Sequence, residues 1–267
     1  MDTPRVDYRH LALERHGHIT VVRFNRPHRC NAVNHELLEE IEHCALGFRE
    51  DIETRVMIFT GAGRHFCSGA DLKDFPAELA QPMLLRRRRF RLGERALHAV
   101  LGIDQITIAA WNGGAIGGGA CLATAADFRI GADDCYAYYP EIDLGMNLMW
   151  QSLPLTIHLV GPARAKRMVI GGERVDAPTL LAWGLLEEVA PRDELMARAF
   201  AFAETYVNKS PIAAQMIKRS ANQVMGALDR ALMHMDADQN LLTHTTADQR
   251  SAADAYAAGR VPVFKGD

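Results

Sequence analysis

Residues 113–128, GGAIGGGACLATAADF, put five glycines into seven positions and then run into small, apolar residues that read as a helix. Glycine loses more backbone freedom on folding than any other residue, so such density marks a place where bare backbone must come close to something. The familiar phosphate cradles do not fit. No GxGxxG occurs in the run, and a Walker loop needs Gly-Lys-Ser/Thr where this chain has Gly119-Ala120-Cys121. A nucleophile elbow fails as well, because Ser68 stands in FCSGA. What remains is a turn with the start of a helix behind it, whose unpaired N–H groups and partial positive charge suit an oxyanion. The plain alternative is that the glycines only let a helix pack tightly on a strand.

A second stretch has the same form. GAGRHFCSGADLKDF, residues 61–75, follows the strand-like RVMIFT and delivers Ser68-Gly69-Ala70 into a helix start. Two strand-to-helix turns with bare backbone are able to aim two N–H groups at one carbonyl oxygen. Loss of one such donor typically costs ~2.7–4 kcal/mol in the transition state.

The rest of the chain sets the frame. Its 267 residues are 48% apolar and 24% charged with a net charge of −3, the composition of an ordinary globular protein, with nothing that points to nucleic acid or a membrane surface. MDTPRVDYRH has no signal-peptide pattern, and Ala115–Ala126 is too short to span a bilayer, so the expected location is intracellular and cytoplasmic. Five scattered cysteines, none in a CxxC spacing, read as free thiols. HITVVRF, RVMIFTG, TIAAWNG, FRIGA and CYAYY read as strands, and Leu37, Leu38, Ile41, Ala45 and Phe48 as a helix face after an Asn34 cap. From about Arg192 the pattern is helical, with Ser210-Pro211 as N-cap and first turn. The expected fold class is therefore α/β, with a core over 1–195 and a C-terminal helical lobe over 196–267 for oligomerisation and site cover.

RFNRPHRCNAVN, HFCSGADLKDF, NGGAIGGGACLATAADFRI, PEIDLG, GGERVDAPTLLAWGLLEEVAP and the closing AAGRVPVF, in this order, resemble the crotonase superfamily of enoyl-CoA hydratases and isomerases from about residue 10 onward. The resemblance implies a crotonase-like spiral of repeated strand-strand-helix units and a homotrimer or hexamer. It implies an acyl-CoA thioester as substrate in fatty acid metabolism, with coenzyme A as part of the substrate and no separate cofactor. The thioester oxygen is then held by the N–H groups of Ala70 and Gly118. Ser68, Gly69, Asp71, Leu72, Gly117, Met149 and Trp150 are expected to bind substrate, and Phe264 and Lys265 to reach the CoA of a neighbouring subunit.

The sequence departs from the hydratases at the proton-moving groups. Similar hydratases carry two glutamates; here the first position is Cys121 and the second is Glu141. A thiol is a poor replacement for a carboxylate that must orient water. Where hydratases continue into a Pro/Gly-rich turn, this chain has MNLMWQSLP, which puts the bulk of Met146, Leu148, Met149 and Trp150 near the place for water and acyl group. One base and two donors suffice to move a proton from C2 to C4 of a 3-enoyl thioester, so the favoured reaction is double-bond isomerisation with Glu141 as the single acid/base. The alternatives are a hydratase (a lyase) working with one glutamate and an acyl-CoA binding protein without chemistry.

Other residues have plainer expectations. Asp143 shares a face with Glu141 if the segment is extended, as a like-charge neighbour or a solvated aspartate. Asp71 and Lys73 suit helix capping. The run RRRRFR, 86–91, reads as a solvated face, with Arg86 and Arg88 as a lesser option for CoA phosphates. His16 and His18 suit a shared strand face but lack a third ligand, so no metal is expected. Met83, Leu84, Leu85, Tyr136, Tyr138 and Tyr139 are expected in the core or pocket lining.

Overall fold

The protein is described by a computed structural model over residues 7–71 and 80–267. Its strands are β1 (Leu11–His16), β2 (Ile19–Phe24), β3 (Val56–Gly61), β4 (Ile106–Trp111), β5 (Gly114–Ile116), β6 (Phe128–Ala132), β7 (Tyr136–Tyr138), β8 (Val175–Asp176) and β9 (Glu188–Ala190). Six of them form one sheet in the order β1-β2-β3-β4-β6-β9, antiparallel at the first pair and parallel thereafter. β5, β7 and β8 form a second, smaller sheet. Parallel strands are covered on both faces, which is why VMIFTG of β3 is buried at every position.

The helices are α1 (His35–Gly47), α2 (Met83–Phe90), α3 (Leu92–Leu101), α4 (Gly118–Thr124), α5 (Leu153–Val160), α6 (Pro162–Val169), α7 (Ala177–Ala182), α8 (Leu195–Val207), α9 (Pro211–Gly226), α10 (Asp229–Met233), α11 (Asp236–Thr243) and α12 (Ala247–Ala257). The Asn34 side chain accepts from Leu37 N and starts α1, whose buried Leu37, Leu38, Ile41, Cys44 and Ala45 face α3 and the core. β4 and β5, then β6 and β7, are consecutive strands divided between the two sheets, and each pair runs on into helix. This is the repeated strand-strand-helix spiral. The isolated bridges Val33–Ala70 and Cys67–Ala115 extend the same stacking to the loop after β3.

Two buried amides fix that loop. Asn112 donates to Gly61 O (2.8 Å) and Gly63 O (3.0 Å) and accepts from Gly61 N (2.9 Å) and the Thr60 hydroxyl (3.2 Å). Asn31 donates to Ala62 O (2.9 Å) and His65 O (2.7 Å) and accepts from Arg26 N (2.9 Å). The turn at 61–65 thereby leads the chain to Ser68–Ala70 in one direction only.

Several expectations are corrected. β1 precedes the first expected strand and pairs with it through a tight turn at Gly17, with φ +60. That hairpin separates His16 from His18: His16 meets the Phe200 ring edge-on at 5.1 Å, and His18 Nδ1 lies 2.7 Å from Glu53 O. Met83 and Leu84 are exposed on α2, whereas Tyr139 is fully buried. Lys73 lies outside the described residues. α8 lies against the large sheet, burying Leu195, Ala199 and Ala203, and α9 leaves an apolar face of Met216, Ile217, Val224 and Met225 on the surface. Among the described residues no helix is long and apolar enough to cross a membrane, and no group of three or more His, Cys, Asp or Glu side chains is placed to hold a metal ion.

Asn112→Ala leaves the Gly61 amide and two carbonyls without their partner; we expect a loss of about 2–3 kcal/mol, read as a lower urea midpoint at unchanged slope.

Candidate active site

The three glycines at 117–119 each make room for a different neighbour. A methyl group built on Gly117 would lie 2.6 Å from Glu141 Oε1, and Gly117 also has φ +50 and ψ −120, a backbone conformation essentially confined to glycine. One on Gly118 would lie 2.4 Å from Trp150 Cη2, and one on Gly119 would lie 2.2 Å from Cys67 O. Gly119 lets the helix pack against backbone, as one reading of the run has it, while Gly117 and Gly118 clear space for the Glu141 and Trp150 side chains.

Gly118 is the first residue of α4, so its N–H lies ahead of the helical ladder. On the facing loop, Val33 N donates to Gly69 O (2.8 Å) and Asp71 N to Val33 O (2.9 Å). This bridge uses the groups on either side of Ala70 and turns the Ala70 N–H away from Val33, on the alternation of extended chain. Gly69, with φ +82, brings the two segments together: a methyl there would lie 2.6 Å from Ile116 O and 3.6 Å from Gly118 N. The Gly69–Ala70 turn and the Gly118 amide thus come close, with a narrow gap at Gly69 between them.

Glu141 stands beside that gap. β7 and Pro140 carry it in, and Glu141 O accepts from Leu144 N (3.1 Å) and Met146 N (2.8 Å), which fixes the turn. Its Oε2 is enclosed and has no hydrogen-bond partner among the described residues. Burial pushes its pKa up to about 7, opposed only by a hydrogen bond to its own backbone. Asp143 takes no part in that shift; its carboxylate accepts from the Tyr138 hydroxyl at 2.8 Å at the exposed side of the turn.

Cys121, at the place of the hydratases' first glutamate, is fully buried. Its thiol donates to Ser152 Oγ (3.1 Å), which donates to Met149 O (2.7 Å). Burial first, and the Glu141 charge second, hold this thiol far above the ordinary thiol range, so it stays neutral. Trp150 and Gln151 follow with φ +69 and +55. Side chains of this size rarely adopt such angles, at a cost of order 1–3 kcal/mol each, and persist there only where the surroundings over-determine them. Here Asp236 accepts from Gln151 N (2.5 Å) and Glu94 from the Gln151 side-chain amide (2.9 Å). Gly93 leaves room for the indole: a methyl on it would lie 1.9 Å from Trp150 Cε2.

The expected substrate-binding residues divide. Gly69 and Trp150 lie against Gly118 and Gly117 against Glu141, whereas Met149 is joined only to Ser152, which accepts from Cys121. The Ser68 amide donates to Cys30 O (3.1 Å) and its hydroxyl to Arg29 O (3.4 Å), so this residue fastens the loop. Asp71 forms a buried ion pair with Arg26 at 3.0 Å, which anchors the Ala70 loop; the helix it was expected to cap lies outside the described residues. Leu72 lies outside the described residues. The segment of Phe264 and Lys265 is tied to the start of α12 by Lys265 N and Gly266 N, each 2.7 Å from an Asp248 oxygen, and α12 packs on the 142–144 turn. Of the arginine run, Arg87 pairs with Asp238 (2.6 Å) and Arg91 with Glu94 (3.4 Å); Arg86 is half-buried and Arg88 exposed. Gly93, Gln151, Ser152 and Asp236 escaped the sequence reading, and Glu94 was expected only as a counter-charge to the arginine run, which its pairing with Arg91 bears out. A glycine in mid-helix, in RLGERALH, is the one signal that pointed to them.

A family model described as enoyl-CoA hydratase/isomerase matches residues 14–267. The chain is 30% identical over 260 residues to a crotonyl-CoA hydratase from Syntrophomonas wolfei, covering 96% of this chain and 98% of the relative. An enoyl-CoA hydratase structure from Bacillus anthracis superposes with a TM-score of 0.77 at 30% identity, covering 97% of this chain and 100% of that one. A monofunctional enoyl CoA isomerase from M. smegmatis superposes with a TM-score of 0.70 at 29% identity, covering 81% and 94%. The chain belongs to the enoyl-CoA hydratase/isomerase family, the crotonase superfamily of its sequence resemblance, and is an enzyme of that family's type.

Gly117→Ala tests the close approach. A Cβ 2.6 Å from Glu141 Oε1 on a glycine-only backbone must displace the carboxylate, so we expect turnover to fall by about 10²-fold or more while circular dichroism stays native.

Proposed function

We propose that the protein isomerises 3-enoyl-CoA to 2-enoyl-CoA with Glu141 as its only acid/base. The observation that carries this reading is the enclosed Glu141 carboxylate, with a neutral, internally bonded Cys121 where hydratases resembling this chain carry a second carboxylate. The thioester oxygen sits between the Ala70 and Gly118 amides. Glu141 takes a proton from C2; the C–H electron pair moves into the carbonyl, and the dienolate charge collects on that oxygen. The carboxylic acid so formed returns the proton to C4, and the double bond comes to lie between C2 and C3. A base with a pKa near 7 is matched to this exchange at neutral pH.

Hydration is the second reading, favoured by relatives named hydratases. It needs a water held by an acid and a base, and Cys121 offers neither at neutral pH. The expected oligomer, a homotrimer or hexamer, fits the exposed apolar face of α9, and the expected cytoplasmic location fits its free thiols.

Three outcomes test the reading. With a 3-enoyl-CoA as substrate, followed by absorbance of the conjugated thioester, Glu141→Gln lowers kcat by about 10²–10⁴ whereas Cys121→Ala leaves it within a few-fold. If Glu141→Gln retains full turnover, the reading fails. The log of kcat/KM rises with pH up to a bend near 7 and is flat above it, because the base must be ionised. Stability runs the other way. The folded state holds the Glu141 proton more tightly than the unfolded one, so its contribution falls as pH rises from the ordinary glutamate range to about 7. Glu141→Gln therefore melts higher than the wild type at pH 8, by a margin that shrinks toward pH 5.

A further inference from the structure

We propose that Trp150 sets the acyl-chain limit of this site and restricts it to short-chain thioesters; this rests on the acyl-CoA reading above. The reacting carbons must lie between Glu141 Oε1, over Gly117, and the amide of Gly118. The Trp150 indole borders that space, with its Cη2 edge against Gly118 and its Cε2–Nε1 edge against Gly93 on α3. The side chain is 6% exposed and fills the gap between α3 and α4 from one glycine to the other.

Trp150 and Gly93 are each followed in the chain by a buried polar residue, Gln151 and Glu94, which meet each other and Asp236. All three are more than nine-tenths buried. The carboxylates of Glu94 and Asp236 are both engaged with Gln151, and Asn147 donates to Asp236 O at 3.3 Å. An acyl tail extended past Trp150 would have to displace the indole and then bury methylenes against these groups, which apolar chains do not favour. The ring is wedged between Gly93 and Gly118, and the Asp236 carboxylate of α11 and the Glu94 carboxylate of α3 hold the next residue, Gln151, at a positive φ. Trp150 acts by shape, and Gln151 with its two carboxylates acts as a positioning clamp.

The test compares wild type, Trp150→Ala and Trp150→Phe for binding of coenzyme A, butanoyl-CoA and decanoyl-CoA by calorimetry, saturated thioesters that the enzyme does not turn over. Each methylene buried in an apolar pocket is worth roughly fourfold in binding, so a tail that is excluded forfeits a large factor. We expect wild type to bind butanoyl-CoA at least about tenfold more tightly than decanoyl-CoA, Trp150→Ala to erase or reverse that ratio, and Trp150→Phe to keep most of it. Equal binding of both chains by wild type, or an unchanged ratio in Trp150→Ala, overturns the proposal. Should Trp150→Ala not fold, Trp150→Leu is read by the same ratio. Failure of all three CoA compounds to bind wild type would overturn the acyl-CoA reading itself, a result distinct from a flat chain-length profile.

Discussion

The structure depends on the contact between the Gly117 backbone and the Glu141 carboxylate. One methyl group on residue 117 would occupy the space of Oε1, and the φ and ψ of that residue lie where only glycine is at ease. Two chain segments have to meet at this point: the turn from β5 into α4 and the turn that leaves β7. The parallel pairing of β5 with β7 and the bond from Gly117 N to Tyr138 O (2.8 Å) bring them together. The stacking of two sheets is therefore the means by which a carboxylate from one repeat reaches the amides of the preceding ones.

Enclosure gives the carboxylate its character. A glutamate with water around it is ionised far below neutrality and is a weak base; taken out of water with one oxygen unpartnered, Glu141 titrates near 7. Close by, the Cys121 thiol is tied through Ser152 to Met149 O, and Gly117 leaves the carboxylate its space. The enclosure costs stability at neutral pH and is tolerated because the fold around it is over-determined. The buried amides of Asn31 and Asn112 and the Arg26–Asp71 pair hold one donor loop while the 117–119 glycines hold the other.

Much of this was legible in the sequence because glycine density and Pro-Glu are local signals. The run at 113–119 and the Ser68-Gly69-Ala70 turn declared themselves without knowledge of packing, Glu141 entered through the family resemblance of its Pro-Glu stretch, and the β/α alternation followed from apolar runs. What was not legible depends on long-range contact. The carboxylate of Asp71 meets Arg26, 45 positions earlier, a contact that no local signal shows. Gly93 reads as a blemish in a helix until Trp150 is laid on it. Asp236 lies 85 positions from the Gln151 amide it accepts from, and no spacing rule connects them. β1 was missed because LALERH is apolar only over its first three residues and is mostly exposed.

The most direct test follows the proton itself. A 3-enoyl-CoA carrying deuterium at C2 is converted by the enzyme in ordinary water and the product analysed by mass spectrometry and NMR. If one enclosed carboxylate both removes and returns the proton, part of the label reappears at C4 of the 2-enoyl-CoA and no 3-hydroxyacyl-CoA accumulates. Complete loss of label to solvent together with 3-hydroxyacyl-CoA as the main product would contradict the account, since it would require water and a second acid/base inside the site.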